Sequence, residues 1–275
     1  MPAIFRTIPA TARVDPMLKL NAPLALGAAL AMVLPAAAAD YIPEPPVIEY
    51  KEPAPAYGGW YLRGHVGMSN QRLGSLDNPN YSRAAIHQFL DEGDFASAPV
   101  VGGGIGYKVN DYLRLDGIVE YRGKSSFRAL DRYDTDGDGT WDGTNEYNAK
   151  KSELLLMANA YADLGDFYGI TPYIGAGIGV SRNTIHGFTD TNTPTGGVAY
   201  GGTRSEWELA WALHAGVGIR ASDRMTIDIG YSYVDLGDGM TNDVISYDGS
   251  DNVGPYTFKD ITSHDFKLGV RYALY

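Results

Sequence analysis

From Trp207 to Ile219 the odd positions read Trp, Leu, Trp, Leu, Ala, Val, Ile, while the even positions from Glu206 to Arg220 read Glu, Glu, Ala, Ala, His, Gly, Gly, Arg. A period of two that separates large apolar side chains from small and charged ones describes a strand with one oily and one wet face. Eight such segments lie between Gly58 and the C-terminus. The first sets Trp60, Leu62, Val66 and Met68 against Arg63 and His65, and the second Val101, Ile105, Tyr107 and Val109 against Gly102, Gly104, Gly106 and Lys108. The third turns Leu113, Leu115, Val119 and Tyr121 away from Arg114, Asp116, Glu120 and Arg122. A fourth, less regular, runs from about Leu154 to Leu164 with Asn159, Tyr161 and Asp163 on its polar face. The fifth opposes Ile174, Ala176, Ile178 and Val180 to Tyr173, Gly175, Gly177 and Gly179, the sixth is the segment above, and the seventh carries Met225, Ile227, Ile229, Tyr231 and Tyr233 opposite Thr226, Asp228, Gly230 and Ser232. The eighth, Asp265 to Tyr275, continues to the last residue.

The connections alternate in length. Short turns are predicted at Asn110-Asp111, Asp166 to Gly169 and Ala221-Ser222. The other four links, roughly 72–98, 123–151, 182–204 and 235–261, are long, polar and rich in Gly, Asp, Asn and Thr. This rhythm predicts an all-β, eight-stranded, antiparallel up-and-down transmembrane β-barrel with short periplasmic turns, four long extracellular loops and both termini in the periplasm. A soluble barrel that binds ligands in its interior would place its apolar side chains inward. Here glycine and charge share one face and Trp, Leu and Tyr the other, which puts lipid outside and a packed polar interior within.

The N-terminal end adds an address. Ala22 to Leu34 is apolar apart from Pro23 and Gly27, and Pro35 and the run Ala36 to Ala39 follow it, after Lys19 and before Asp40. That is the pattern of a secretory signal peptide over residues 1–39, with Met17 an alternative start and cleavage after Ala38 or Ala39. The apolar core is too short for a spanning helix. Residues 40–57 form a Pro-rich periplasmic segment containing Pro43, Pro45, Pro46, Pro53 and Pro55, which favours extended polyproline II, and the barrel occupies 58–275.

Charge and cysteine content narrow the chemistry. The formal charge of -11 becomes more negative once the leader's three cations and one acid are removed, so a nucleic-acid partner is excluded. The absence of cysteine excludes disulfides, thiolate catalysis and cysteine-ligated zinc. Twelve per cent of residues are aromatic and 34 are glycine, as barrel walls and tight turns require.

Three sets of residues are candidates for function. The inward charges Arg63, Lys108, Arg114, Asp116, Glu120, Arg122, Glu208, Asp228, Lys267 and Arg271 are expected to form a salt-bridged plug, since the interior of eight strands is only wide enough for side chains to fill. A small passive channel is the lesser alternative. In the second long link, Asp134, Asp136, Asp138, Gly139 and Asp142 match positions 1, 3, 5, 6 and 9 of a calcium loop, with Thr140 offering a carbonyl. Asn145 stands where the bidentate Glu belongs, so any calcium would be held weakly, and no cofactor is required. The histidines His65, His87, His186, His214 and His264 are scattered with no serine-centred motif beside them, and no enzyme is expected.

Four stretches carry a family resemblance: Gly59-Trp60-Tyr61-Leu62-Arg63-Gly64, Asn159-Ala160-Tyr161-Ala162-Asp163, Pro172-Tyr173-Ile174-Gly175-Ala176-Gly177, and Gly269-Val270-Arg271-Tyr272-Ala273-Leu274-Tyr275. Over Gly58 to Tyr275 the chain resembles the small outer-membrane β-barrels of Gram-negative bacteria, relatives of the OmpA membrane domain and the opacity proteins. It is most similar in type to the major outer-membrane proteins of rhizobia. The resemblance implies a cell outer-membrane location, contact with outer-membrane lipid and lipopolysaccharide, and a monomer or weak oligomer. It also implies a C-terminal signal for the barrel-assembly machinery in Gly269, Tyr272, Leu274 and the terminal Tyr275, which stands in place of the usual phenylalanine. Some related barrels start Ala-Asp and are joined there to peptidoglycan, a role that would fall to Ala39 and Asp40. The implied function is structural support of the envelope, with capture of a host ligand, haem or a cation by the surface loops as the alternative.

Overall fold

In the computed structural model, residues 59–79 and 86–274 are described. Eight strands form the wall: β1 (Trp60–Arg72), β2 (Ala98–Lys108), β3 (Leu113–Asp134), β4 (Gly143–Asp163), β5 (Ile170–Asn192), β6 (Val198–Arg220), β7 (Met225–Asp235) and β8 (Thr262–Ala273). Each pairs antiparallel with its neighbour in sequence, and β8 pairs with β1 from Tyr61↔Ala273 to Arg72↔Thr262, which closes the barrel. Closure leaves no sheet edge and satisfies the backbone polar groups that a bilayer cannot. The expected faces are observed. Trp60, Leu62, Val66 and Met68 point away from the lumen, as do Trp207, Leu209, Trp211 and Leu213, whereas Arg114, Asp116, Glu120 and Arg122 are buried.

The strands differ in height. β3, β4, β5 and β6 have 22, 21, 23 and 23 residues, about twice the 9–11 a spanning strand needs, whereas β1, β2, β7 and β8 have 11 to 13. The tall strands therefore project beyond the membrane as half a wall. The described residues 73–79 and 86–97, together with 236–261, complete it. Residues Ile86–Phe95 pair with β3, Ile245–Ser246 pair with β6, and Ser75–Asp77, Thr257–Lys259 and Gly239–Met240 form a separate three-stranded sheet.

The four long extracellular links expected from sequence are in place, and much of their length is strand. The predicted 123–151 link is largely strand, and only the tip around Thr135–Asp142 is a loop. The projecting parts share one apolar core that includes Phe95, Phe127, Tyr147, Ile185, Phe188, Leu236, Tyr256, Phe258 and Ile261. Phe127 meets Phe258 edge to face at 4.9 Å between centroids, and Phe188 lies 4.8 Å from Tyr256. Aromatic pairs in this range add stabilisation beyond burial alone, so the outer ends of the strands form a packed extracellular head.

Candidate functional site

The lumen is filled by two layers of charge. In the inner layer the Arg63 guanidinium donates to Asp116 at 2.7 Å and to the Tyr161 hydroxyl at 2.8 Å. Arg114 donates to both Asp163 oxygens at 3.0 and 2.8 Å, and Arg271 binds Asp228 at 2.6 and 2.9 Å. In the outer layer Glu120 collects Lys267 at 2.8 Å, His65 at 2.8 Å and Arg122 at 2.7 Å, and Arg122 reaches across to Asp265 at 2.5 Å. Lys151, Glu153 and Gln71 cap it, with Lys151 paired to Glu153 and donating to Gln71 at 3.0 Å. A cavity of about 20 Å³ beside Arg63, Glu120 and His214 has room for a single water. The plug is the arrangement expected from sequence; the lesser alternative, an open channel, is not supported by this packing.

Of the expected lumen charges, Arg63, Arg114, Asp116, Glu120, Arg122, Asp228, Lys267 and Arg271 all join this network. Lys108 and Glu208 do not: at the end of β2 Lys108 turns out to the periplasmic rim and pairs with Asp111 at 3.0 Å, and Glu208 on β6 is half-buried with no ion-pair partner among the described residues. Asp163, read from sequence on the polar face of its strand, completes the pair with Arg114, whereas Lys151, Glu153 and Asp265 were not among the expected charges. Their inward parity on β4 and β8 was the available signal.

Among the histidines, His214 bonds Ser232 at 2.8 Å and Asn159 at 3.1 Å inside the lumen, and His264 meets Tyr231 at 2.7 Å. The fold also brings a second serine to a histidine without any sequence motif: Ser152 on β4 lies 2.9 Å from His186 Nε2 on β5. Among the described residues no carboxylate bonds the other nitrogen of that ring, so the pair lacks the orienting acid of a hydrolytic triad. Burial, reinforced by the charge of Lys124, holds the His186 imidazole below its ordinary pKa.

In the head, the buried carboxylate of Asp131 and the half-buried carboxylate of Asp190 face two buried tyrosines. Tyr147 donates to Asp131 at 2.7 Å, and Tyr256 donates to Asp190 at 3.1 Å. Burial, with the charge of Asp131 as a smaller contribution, pushes Asp190 up to about 7 against the opposing bond from Tyr256. Burial also raises both tyrosines well above the usual phenol value. At the tip, ligand atoms of Asp134, Asp136 and Asp138 lie within 4.8 Å of one another. Asp134 accepts the Gly137 amide at 2.7 Å and the Gly139 amide at 2.9 Å, and these bonds outweigh its burial and lower its pKa. Asp142 turns back to accept the Thr135 amide at 2.7 Å, and Thr140 donates its own amide to Asp138 at 2.6 Å. The loop is thus closed by its own amides.

On β8, Gly269 faces the lumen beside His65, while Tyr272 and Leu274 point outward. Tyr275, the signal peptide, the Pro-rich segment and the Ala39-Asp40 pair lie outside the described residues.

Residues 26–273 match the model of the outer membrane protein beta-barrel domain. A Brucella abortus protein without a described function is 34% identical over 220 residues, covering 74% of this chain and 77% of its own. The outer membrane protein PagN of Salmonella typhimurium is 28% identical over 242 residues, covering 83% of this chain and 95% of PagN. A Rickettsia prowazekii protein whose name is "Putative adhesin" is 24% identical over 218 residues, covering 78% of this chain and 87% of that one. With its closed eight-stranded wall, outward apolar band and charged lumen, the chain belongs to the outer membrane protein beta-barrel domain family and resides in the outer membrane of a Gram-negative bacterium.

Proposed function

We propose that the chain is a non-catalytic, non-conducting surface-binding protein whose barrel anchors a rigid extracellular head that captures a macromolecular partner. The observation that carries this reading is the shared aromatic core of the projecting strands. An envelope spacer has no need of such a core, whereas a binding surface gains from being held in one shape. The head exposes Tyr200, Ile245 and Tyr247 together: Ile245 pairs with Tyr200 in register, and the Tyr247 amide donates to the Val198 carbonyl at 2.9 Å. Grouped exposed aromatics mark contact surfaces. Asp243, Asp248 and Asp251 stand in the same segment, which suits a partner with an apolar surface edged by positive charge. A relative carrying an adhesin's name supports the same reading.

The test is adherence. The full chain would be displayed on a laboratory strain without other adhesins and scored on cultured epithelial cells. Adherence above the empty-vector strain, lost in a Tyr200→Ser/Tyr247→Ser variant of equal surface abundance, is expected. Vector-level adherence by fully displayed protein would overturn the reading.

Two further parts belong to the same proposal. β8, with Tyr272 and Leu274 outward, is what the barrel-assembly machinery reads during insertion. The mature N-terminus at Ala39 or Asp40 is joined to peptidoglycan, and a muropeptide mass on the tryptic peptide ending at Lys51 from purified sacculi is the expected evidence. An unmodified N-terminus would remove the wall attachment while leaving the binding head in place.

A further inference from the structure

We propose that copies of this chain associate side by side in the membrane, the basic outer face of one head meeting the acidic rim of the next, so that they extend as a row. The basic face is the outward side of β3 to β5. Lys124, Arg128, Lys150 and Arg182 are exposed on it, and Glu146, the acid beside them, is held by Arg128 at 3.1 Å. The acidic rim lies on the other half of the wall, where β7, β8 and β1 end. Asp235 is the last residue of β7, and Asp260, two residues before β8, donates its amide to the Asp238 carboxylate at 2.9 Å. Asp94 accepts the amide of Leu73, the residue after β1, at 3.0 Å.

Neither set is neutralised within the chain. Among the described residues Lys124, Lys150 and Arg182 have no carboxylate partner, and Asp94, Asp235, Asp238 and Asp260 have no cation partner. Arg72 is the unpaired cation described beside these acids, since Lys259 is taken by Asp77 at 3.0 Å. Other exposed cations are compensated at home, Lys108 by Asp111 and Arg220 by Asp166. The two faces also stand at the same level over the bilayer. Val180 and Leu209 form the last wholly apolar outward pair of β5 and β6, and Arg182 and Trp207 form the next. Asp235, in register with Trp211 of β6 and Thr262 of β8, marks the end of the band on the opposite side.

Charge and level together identify the occupant as a second copy. Standing upright in the same bilayer, it presents its acidic rim at the height of the first copy's basic face without inversion or tilt. An exposed ion pair is weak singly. Because the bilayer already fixes height and tilt, several such pairs form together with little further loss of freedom. The two faces occupy opposite sides of one barrel, so the contact is heterologous and does not close on a pair; simple translation repeats it as an open row. A row holds the heads parallel and would add avidity to any partner they capture, but the contact does not depend on that capture.

The chain has no cysteine, so a cross-linker reads only the thiols placed for it. Ser126→Cys puts one at an exposed position of the basic face, and Ser75→Cys puts one at the acidic rim, in register with Lys259. The full chain carrying both would be reconstituted at low density in phosphatidylcholine vesicles and treated with a bismaleimide, with heat-modifiable gel mobility as the folding control. A ladder of dimers, trimers and longer species is expected, falling about tenfold as salt rises from about 0.05 M to about 0.5 M and the screening length shrinks roughly threefold. In this background, Lys124→Glu/Lys150→Glu/Arg182→Glu copies and Asp94→Lys/Asp238→Lys/Asp260→Lys copies should each fail to form the ladder alone. Mixing the two should restore it, because opposite charge then meets at every contact. No ladder without the charge reversals, a ladder indifferent to salt, a reversed variant that forms it alone, or dimers from Ser126→Cys by itself, which would show like faces meeting, would each overturn the proposal. The salt series decides the matter even where a reversed variant does not fold.

Discussion

The Tyr256 hydroxyl, carried into the head by the last extracellular segment, donates to the Asp190 carboxylate on β5 across 3.1 Å. This bond ties the 236–261 segment to a tall wall strand at a point where burial has raised the acid to about 7. A carboxyl with a raised folded pKa keeps a proton that the unfolded chain releases near its ordinary value. Stability from this site is therefore greatest at low pH and declines as pH rises from about 4 to about 7. We expect Asp190→Asn to be neutral near pH 3, below the unfolded pKa, and to stabilise the head at about pH 8 by an amount of order 1 to 4 kcal/mol. Hydrogen exchange over residues 241–258, compared between wild type and variant at each pH so that intrinsic chemistry cancels, measures it. Equal protection at both pH values would refute the argument.

Arg122 is the keystone of the outer lumen layer, bonded to Glu120 and Asp265 and fully buried with both. Removing one member of a buried ionic group leaves its partners charged and without compensation, at a cost of about 3–5 kcal/mol. Arg122→Leu should lower the urea midpoint of the refolded barrel accordingly. A combined Arg122→Leu/Glu120→Leu change should recover part of the loss, although Asp265 then retains only Lys267 and Ser263. Wild-type protein in planar bilayers should show no steady conductance steps.

The membrane-spanning half was legible because lipid and lumen impose opposite demands on alternate residues, and eight segments obey them. Segment four was less clear in sequence because Ala158, Ala160 and Ala162 face outward where Leu or Val is usual, weakening the contrast with Asn159, Tyr161 and Asp163. The head was not read as a packed unit. Its alternation is present, as Phe127, Ala129 and Asp131 inward against Arg128 and Leu130, and Tyr147 and Ala149 against Asn148 and Lys150. Yet the two phenylalanines that pack together, Phe127 and Phe258, are far apart in sequence, and neither segment is apolar enough alone to announce a core. Lys108 was misplaced because parity assigns a face but does not show where the lumen ends.

The lumen's aromatic rings rest on glycine. A methyl group on Gly106 would stand 2.2 Å from the Tyr61 ring, which donates to Asp116 at 3.2 Å. Gly106→Val must displace that ring, and overpacking of this kind costs about 1–3 kcal/mol. Gly117 on the neighbouring strand faces lipid with nothing within 4 Å of the added carbon, so Gly117→Ala should be close to neutral. Urea unfolding of the two variants in one detergent tests the contrast, and an equal effect at both sites would show that the Tyr61 contact is unimportant.

The acidic tip presents the last case. Asp134, Asp136 and Asp138 converge as a calcium loop would, but Asp134 already accepts two backbone amides and Asn145 offers no bidentate carboxylate in the twelfth position. Self-capping holds the loop in shape before any ion arrives, so binding needs little reorganisation. The missing glutamate removes a charge and two ligand atoms, so affinity should be that of weak extracellular sites, about 10⁻⁴ to 10⁻³ M. Titration calorimetry with calcium should give a small saturable heat in that range, lost in Asp136→Ala. Asp136 suits the test because its carboxylate accepts only the Asp138 amide, at 3.2 Å, so its removal should leave the Asp134 bonds to Gly137 and Gly139 intact. A wild type with no heat at millimolar calcium would make this hairpin a turn closed by its own amides and nothing more.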